Sequence, residues 1–300
     1  MVDAVRIDGL VLEAGSRRIV DELSLQAPAH AVTAIVGPNG AGKTSTIEAC
    51  MALRPRQAGT ITLLGERVAN APVAGTSVML QDGGLYPTAR PYELLTYLAS
   101  LYPQSLPPAE LLQRVGIDPA SRATVRRMSG GEQQRLKAAA ALIGKPRLAF
   151  LDEPTAGLDA SGRQILHDLV RELVTAGASV VITTHLMDDV EALADRVVVM
   201  SHGQVVAQAP LSELIGSPDS VWFDARPMSD LSALRELLPK STITEHAPGR
   251  YCASHAAESA DLAGLAQWCA AQSAPAAITH VGTSPLSEVV QRILASQEAS

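Results

Sequence analysis

The stretch A-I-V-G-P-N-G-A-G-K-T, Ala34 to Thr44, limits the fold more than any other part of this chain. The apolar run Ala31 to Val36 reads as a buried strand that enters a glycine-rich loop and leaves as a helix from about Gly42. Residues Gly37 to Thr44 fit G-x-x-x-x-G-K-[ST], and strand–loop–helix is the setting that motif requires. Composition alone produces the pattern in about one chain of this length in a hundred, and the flanking elements lower that further. Gly37, Gly40 and Gly42 permit the tight turns that aim a loop's N–H groups at a phosphate chain, with Pro38, Asn39, Ala41 and Ser45 completing the loop. Lys43 is placed to pair with β- and γ-phosphates, and Thr44 offers a hydroxyl to Mg²⁺.

Leu148 to Leu151, Ser179 to Thr184 and Arg196 to Met200 are further apolar runs of strand length, and Val78 to Leu80 is a shorter one. Continuous apolar strands separated by helices predict an α/β fold around a largely parallel sheet covered on both faces. Between Pro91 and Gly116 the pattern turns helical, giving a helical subdomain over about 88–145. Composition shifts at Gly216-Ser217-Pro218. The tail then reads strand (Val221 to Ala225), helix (Asp230 to Leu238), strand (Ser241 to Glu245) and strand (Arg250 to Ser254). Helix (Glu258 to Ala271), strand (Ala276 to Val281) and a last helix (Leu286 to Ala295) follow. Strand-helix-strand-strand-helix-strand is the ferredoxin-like order. The expected architecture is an α/β P-loop NTPase core over 1–216 and a small α+β domain over 217–300.

Two acids close the second buried strand in F-L-D-E-P, Phe150 to Pro154. Beside a phosphate loop, Asp152 is expected to hold the metal and Glu153 to polarise a water for attack on the γ-phosphate. An acidic pair after a strand is otherwise most often a solvated turn. His185 directly follows the run Ser179 to Thr184, on the rim where open α/β sheets bind ligands, and is read as a γ-phosphate contact. A lone histidine is more often a structural hydrogen-bonding residue. Gln81, before Asp82-Gly83-Gly84, can reach the metal or its water, although by itself it marks only a turn. In M-S-G-G-E-Q-Q-R, Met128 to Arg135, Ser129 sits where a helix N-cap belongs and Gly130-Gly131 leave the helix start bare. Such a terminus suits an anion, yet no phosphate-binding lysine lies in this loop.

A net charge of −7 argues against nucleic acid as partner. Arg122, Arg126 and Arg127 cluster, but a solvated loop accounts for them. The three cysteines form no C-x-x-C pair, so neither a disulfide framework nor a zinc site is indicated. The N-terminal stretch MVDAVRIDGL lacks the features of a secretory signal, and no run is long and apolar enough to span a membrane.

Gly37 to Thr44, Gln81, Ser129 to Glu132, Asp152-Glu153, Gly157-Leu158-Asp159 and His185 occur in an order that resembles the ATP-binding subunit of the ABC transporter superfamily, over about residues 5 to 215. The resemblance implies an ATPase using ATP and Mg²⁺. It further implies that two such domains pair head to tail, each ATP lying between one subunit's phosphate loop and the other's signature loop. Residues 128–131 are then half of a site. Ser129, Gly130 and Gly131 meet a nucleotide held by the partner's lysine, and Asp159 helps the two halves communicate. The pair is a homodimer or heterodimer acting on a separate membrane permease, so the expected location is cytoplasmic and peripheral on the membrane's cytoplasmic face. The Gln81 loop and the helices from Pro91 to Gly116 would form the groove that grips a cytoplasmic helix of the permease.

G-G-L-Y-P-T after Gln81, T-A-G-L-D-A-S-G, T-T-H-L-M-D-D-V-E-A-L-A-D-R-V and the closing P-L-S-E-V-V are similar to the ABC-2, drug-export branch. Val290 stands where the branch's closing element has an aromatic. Glu132 replaces a common glutamine, and Ala14 replaces an aromatic that stacks on adenine. That implies looser base selectivity unless Arg17 or Arg18 covers the ring. The competing classes are cytosolic ABC ATPases uncoupled from transport. Nucleic-acid-associated members insert long coiled coils or carry two cassettes, and assembly scaffolds lack a tail like 218–300.

Overall fold

The computed structural model describes residues 3–15, 17–81, 83–216, 219–257, 259–272 and 275–298. Asp82, Ser217, Pro218 and Glu258 of the segments read above lie outside them. The chain divides into two compact units, Met1–Gln208 and Ala209–Ser300, at a point inside the last strand of the first sheet system rather than at Gly216.

In the first unit, β1 (Asp3–Ala14) and β2 (Arg17–Pro28) form a long antiparallel pair, which leads into β3 (Val32–Val36), the phosphate loop and α1 (Lys43–Cys50). Next come β4 (Ala58–Leu63), β5 (Glu66–Arg67) and β6 (Thr76–Met79). The helical insertion holds α2 (Pro91–Ala99), α3 (Pro108–Arg114) and α4 (Gly130–Leu142), with a short 3-10 turn at Val125–Arg127. Strands and helices then alternate through β7 (Leu148–Asp152), α5 (Ala160–Thr175), β8 (Ser179–Thr183), α6 (Met187–Leu193), β9 (Arg196–Ser201) and β10 (Gln204–Pro210).

These strands make two sheets. One has the order β10-β9-β3-β8-β7-β6, and β3, β6, β7, β8 and β9 run parallel. Every residue of β3, β7 and β8 is buried, which is why those segments read as unbroken apolar runs. The first is the largely parallel sheet expected; the other, β2-β1-β4-β5, is antiparallel and was not foreseen. Its strands alternate: β2 buries Val20, Leu23, Leu25 and Ala27 and exposes Glu22, Ser24 and Gln26 between them. One face packs on Ile47, Cys50, Phe150 and Val198 in a shared core, so the phosphate loop is fixed from both sheets.

The second unit begins with α7 (Leu211–Ile215) and continues as β11 (Val221–Asp224), α8 (Ser232–Leu237), β12 (Ile243–Ala247), β13 (Arg250–Ala253), α9 (Ser259–Ala271), β14 (Ala277–Val281) and α10 (Leu286–Glu298). Its sheet order is β12-β13-β11-β14 with every neighbour antiparallel. The first strand of the β-α-β-β-α-β run therefore sits between the third and the fourth, the ferredoxin-like arrangement. Phe223 stacks on Tyr251 at 5.3 Å between ring centroids and meets the edge of Trp268 at 5.7 Å, so most of the chain's buried aromatics lie in this smaller unit.

Candidate functional site

A cavity of about 640 Å³ opens where β3 passes into α1. Gly37, Pro38, Asn39, Gly40, Ala41, Gly42, Lys43, Thr44 and Ser45 line it together with Ile19, Gln81, Asp152, Glu153 and His185. Five sequence segments thus converge on one pocket, placed by the C-terminal ends of β3, β7 and β8.

The loop's shape demands glycine. At Gly37 (φ 153°) a Cβ would lie 2.1 Å from the carbonyl oxygen of Met200, and at Gly42 (φ 98°) it would lie 2.9 Å from Val20 Cγ2. Gly42 is also the N-cap of α1, so the helix start faces the cavity with no side chain capping it. Lys43 Nζ donates to the carbonyls of Gly37 (2.7 Å) and Pro38 (3.1 Å), spanning the loop it belongs to. Burial pushes the Lys43 ammonium below its usual value, opposed by the nearby charges of Glu153 and Asp152.

Asp152 is fully buried and accepts hydrogen bonds from Thr44 Oγ1 (2.8 Å) and from the Thr183 hydroxyl. A buried carboxylate touching a threonine hydroxyl is a hard-oxygen pair that suits Mg²⁺, an ion usually held by one or two carboxylates plus substrate phosphates. Among the described residues no group of three His, Cys, Asp or Glu gathers into a metal cage. Glu153 follows with φ 48°, left-handed backbone rarely adopted by non-glycine residues. Its N–H donates to both the carbonyl (3.1 Å) and the hydroxyl (3.0 Å) of Thr183, and its Oε2 lies 2.9 Å from His185 Nδ1. His185 sits two residues past the end of β8, so it extends beyond the strand that sequence placed directly before it.

Ser129, Gly130, Gly131 and Asp159 do not line the cavity. Ser129 caps α4 in a reciprocal box: its Oγ accepts from Glu132 N (3.2 Å), and its N–H (2.8 Å) and hydroxyl (2.9 Å) both donate to Glu132 Oε2. Asp159 caps α5 by accepting from Gly162 N at 2.7 Å. Ala14 is exposed at the end of β1; Arg17 and Arg18 are exposed too, with Arg18 tied to Asp21 at 2.6 Å. Neither arginine lines the cavity; Ile19 does.

Four participants escape sequence reading. Ile19 lacks any motif. Thr183 looks like one more β-branched strand residue, though a polar side chain inside a fully buried strand must have a partner. Gln134 donates to the carbonyls of Glu153 (2.8 Å) and Pro154 (3.2 Å), joining α4 to the acidic pair. Lys137 holds the Gln81 carbonyl at 2.8 Å. The last two lie on one face of α4 at a spacing of three, a periodic signal available beforehand.

Strand, glycine loop, loop-spanning lysine and buried acid together define a P-loop nucleotide-binding ATPase. Residues 20–156 match the family described as ABC transporter. The daunorubicin/doxorubicin resistance ATP-binding protein DrrA of Streptomyces peucetius is 37% identical over 227 residues, covering 71% of this chain and 67% of its own length. The Fe(3+) ions import ATP-binding protein FbpC of Streptomyces coelicolor is 38% identical over 224 residues, covering 72% of this chain and 62%, less than two thirds, of its own. A dimeric structure of a post-hydrolysis state of the ATP-binding cassette MJ0796, bound to ADP and Pi, shares the fold. Its TM-score is 0.62 at 20% identity, covering 69% of this chain and 98% of that one. The chain belongs to the ABC transporter family, as an ATP-binding subunit and an ATPase.

Proposed function

We infer that the chain powers an ABC-2-type exporter by closing head to tail on a second ATP-binding subunit, with a separate membrane permease as the coupled partner. The observation that carries this is the separation of two anion-binding sets. Lys43, Asp152, Glu153 and His185 share a cavity, whereas the glycine-flanked start of α4, capped by Ser129 and Glu132, stands outside it and lacks a phosphate-binding lysine. A second copy supplies what each set lacks. Export is favoured over import by likeness to DrrA, a resistance protein, and by the drug-export motifs after Gln81 and His185.

In this reading the loop Gly37–Ser45 binds the β- and γ-phosphates, Lys43 neutralises them, and Thr44 and Asp152 hold Mg²⁺ with Gln81 beside it. Bound Mg²⁺ would offset phosphate charge as the bond to the leaving oxygen breaks. Glu153 orients and deprotonates the attacking water, His185 contacts the γ-phosphate, and Ser129, Gly130, Gly131 and Asp159 close the site from the partner. Closure is favoured because phosphate charge is matched from both sides only in the dimer; loss of the γ-phosphate removes that difference. A groove of about 450 Å³ lined by Met79, Leu80, Leu85, Leu98, Tyr102 and Ala141 fits a helix of the permease. Among the described residues no helix is long and apolar enough to cross a membrane, in keeping with a permease on another chain.

Glu153→Gln tests the assignment. It keeps side-chain size and its contact with His185 but removes the base, so turnover falls about 10²- to 10⁴-fold while ATP binding persists. The variant accumulates as an ATP-bound dimer in sedimentation. Undiminished hydrolysis removes Glu153 from the role of base; an inactive variant that stays monomeric with saturating ATP removes the pairing.

A further inference from the structure

Behind the site lies a buried polar cluster that the hydrolysis chemistry does not use. Asp189, in the first turn of α6, is 1% exposed, and its partners Thr155 and His167 are also buried. The Thr155 hydroxyl donates to Asp189 Oδ2, and His167 Nε2 lies 2.8 Å from Oδ1. Arg163 Nε stands 3.8 Å from the same oxygen and, though buried, makes no hydrogen bond. A carboxylate in such a place costs several kcal/mol unless it is paired, and an apolar side chain of similar volume would pack there at less cost. Fixing relative position is what the charged cluster adds.

Its partners identify what is fixed. Thr155 belongs to the loop 153–159, which starts at Glu153 and ends at Asp159, the N-cap of α5. The loop is internally braced, with Ala156 N donating to Glu153 O (3.2 Å) and Leu158 N to Thr155 O (3.1 Å). Asp189 ends the short segment that starts at His185, and that segment is equally tight: Leu186 N donates to Thr184 Oγ1 (3.0 Å) and Asp189 N to Leu186 O (3.2 Å). The two segments therefore touch twice. At the cavity the contact is Glu153 with a largely exposed His185; behind it the contact is Thr155 with Asp189, shielded from solvent.

We propose, resting on the head-to-tail arrangement inferred above, that Asp189 is a positioning residue. Through Thr155 and His167 it locks the loop 153–159 and the segment 185–189 in one register, so that Glu153 and His185 at one nucleotide and Asp159 at the partner's nucleotide are set together. When the exposed contact opens, the buried one preserves alignment.

Thr155→Val, which keeps shape and removes the hydroxyl, is compared with Thr155→Ser, which keeps the hydroxyl, and with Asp189→Asn and the double variant. The full chain is used throughout. Stoichiometric binding of a fluorescent ATP analogue counts folded molecules, so that turnover is expressed per competent site. Thr155→Val and Asp189→Asn each lower kcat about ten- to a hundred-fold, as expected for a small misplacement of reacting groups. KM for ATP stays within about twofold, because the phosphate loop is untouched. Thr155→Ser restores turnover, and the double variant is no slower than the slower single one, since both act through the Thr155–Asp189 contact. Wild-type kcat in Thr155→Val, equal damage from Thr155→Ser, or multiplying effects in the double variant overturns the assignment. Sedimentation of the wild type with ATP reports on pairing separately: a wild type that stays monomeric removes the partner, while the valine–serine comparison still decides whether the carboxylate aligns Glu153 and His185.

Discussion

Glu153 holds the least comfortable backbone of the site, at φ 48°. Such a conformation costs on the order of 1–3 kcal/mol in a non-glycine residue and persists only where neighbours over-determine it. Thr183 does so with two acceptors for one N–H, and Gln134 holds the carbonyl on the other side. Strain turns Asp152 and Glu153, adjacent in sequence, to different tasks. The opposite holds at the base end of the pocket, where little is fixed. Ala14 is exposed and Ile19 gives only an aliphatic edge, so no aromatic of the described N-terminal strands is offered to a purine. ATP and GTP are therefore expected to bind with similar affinity in equilibrium fluorescence titrations. Ala14→Tyr should tighten ATP by about 1–3 kcal/mol, the range for stacking one base on an aromatic. Strong ATP preference by the wild type at low micromolar concentration counts against this account of base contact.

At the scale of elements, the start of α4 carries the sharpest consequence. The Ser129 hydroxyl is committed to the Glu132 carboxylate, and the backbone N–H of Ser129, followed by that hydroxyl, holds Glu132 below the usual carboxylate range. A phosphate arriving from a partner must then compete with a resident negative charge. Glu132→Gln keeps the contact with Ser129 N–H, releases the hydroxyl and removes one like charge, a difference on the order of 1 kcal/mol at partly exposed separations. ATP-driven dimerisation should tighten about fivefold at low salt and the gain should shrink as salt rises. An unchanged dimerisation constant separates Glu132 from the trans contact. The same bond sets a pH dependence of stability. Because the native value is depressed, the cap's contribution is present above the ordinary carboxylate value of about 4.3 and fades as pH falls through the lower native value. Acid denaturation of Glu132→Gln loses that component. The Ser129 cap was legible, since a serine before a glycine pair and an alanine-rich run marks a helix start, whereas the return bond from Glu132 was not foreseen; β3, β7 and β8 were legible because burial on both faces leaves mostly apolar residues. The β2-β1-β4-β5 sheet was not: its strands alternate charged and apolar residues, as in R-R-I-V-D-E-L-S-L, and nothing local tells a half-buried strand from a surface segment. Contacts such as Gln134 to Glu153 O and Thr155 to Asp189 join residues far apart in the chain, and no short motif encodes them.

For the molecule as a whole, the two units hold separate cores, and the three cysteines report on them. Cys50 packs in the core of the first unit, while Cys252 and Cys269 belong to the second. All three are buried, free thiols. Burial pushes Cys50 up to about 12, and it raises Cys252 and Cys269 as well, with Ser220 and Arg250 partly offsetting the effect at Cys252. Thiolate is the reactive form, so at neutral pH none of the three should react with an alkylating reagent until its surroundings open. By surface-to-volume scaling the smaller unit is expected to bury a smaller share of its chain's surface and to be the less stable of the two. Pulsed alkylation along a urea gradient, read by peptide mass spectrometry, should therefore label Cys252 and Cys269 together at low urea and Cys50 in a second, steeper transition, since the slope follows the surface exposed. Bound ATP favours the folded form of whichever unit holds it, and the cavity lies wholly in the first. Adding ATP should shift the Cys50 transition to higher urea and leave the Cys252 and Cys269 transition in place. Simultaneous labelling of all three would mean that the two cores unfold as one, and a shift of all three with ATP would mean that the small domain senses the nucleotide.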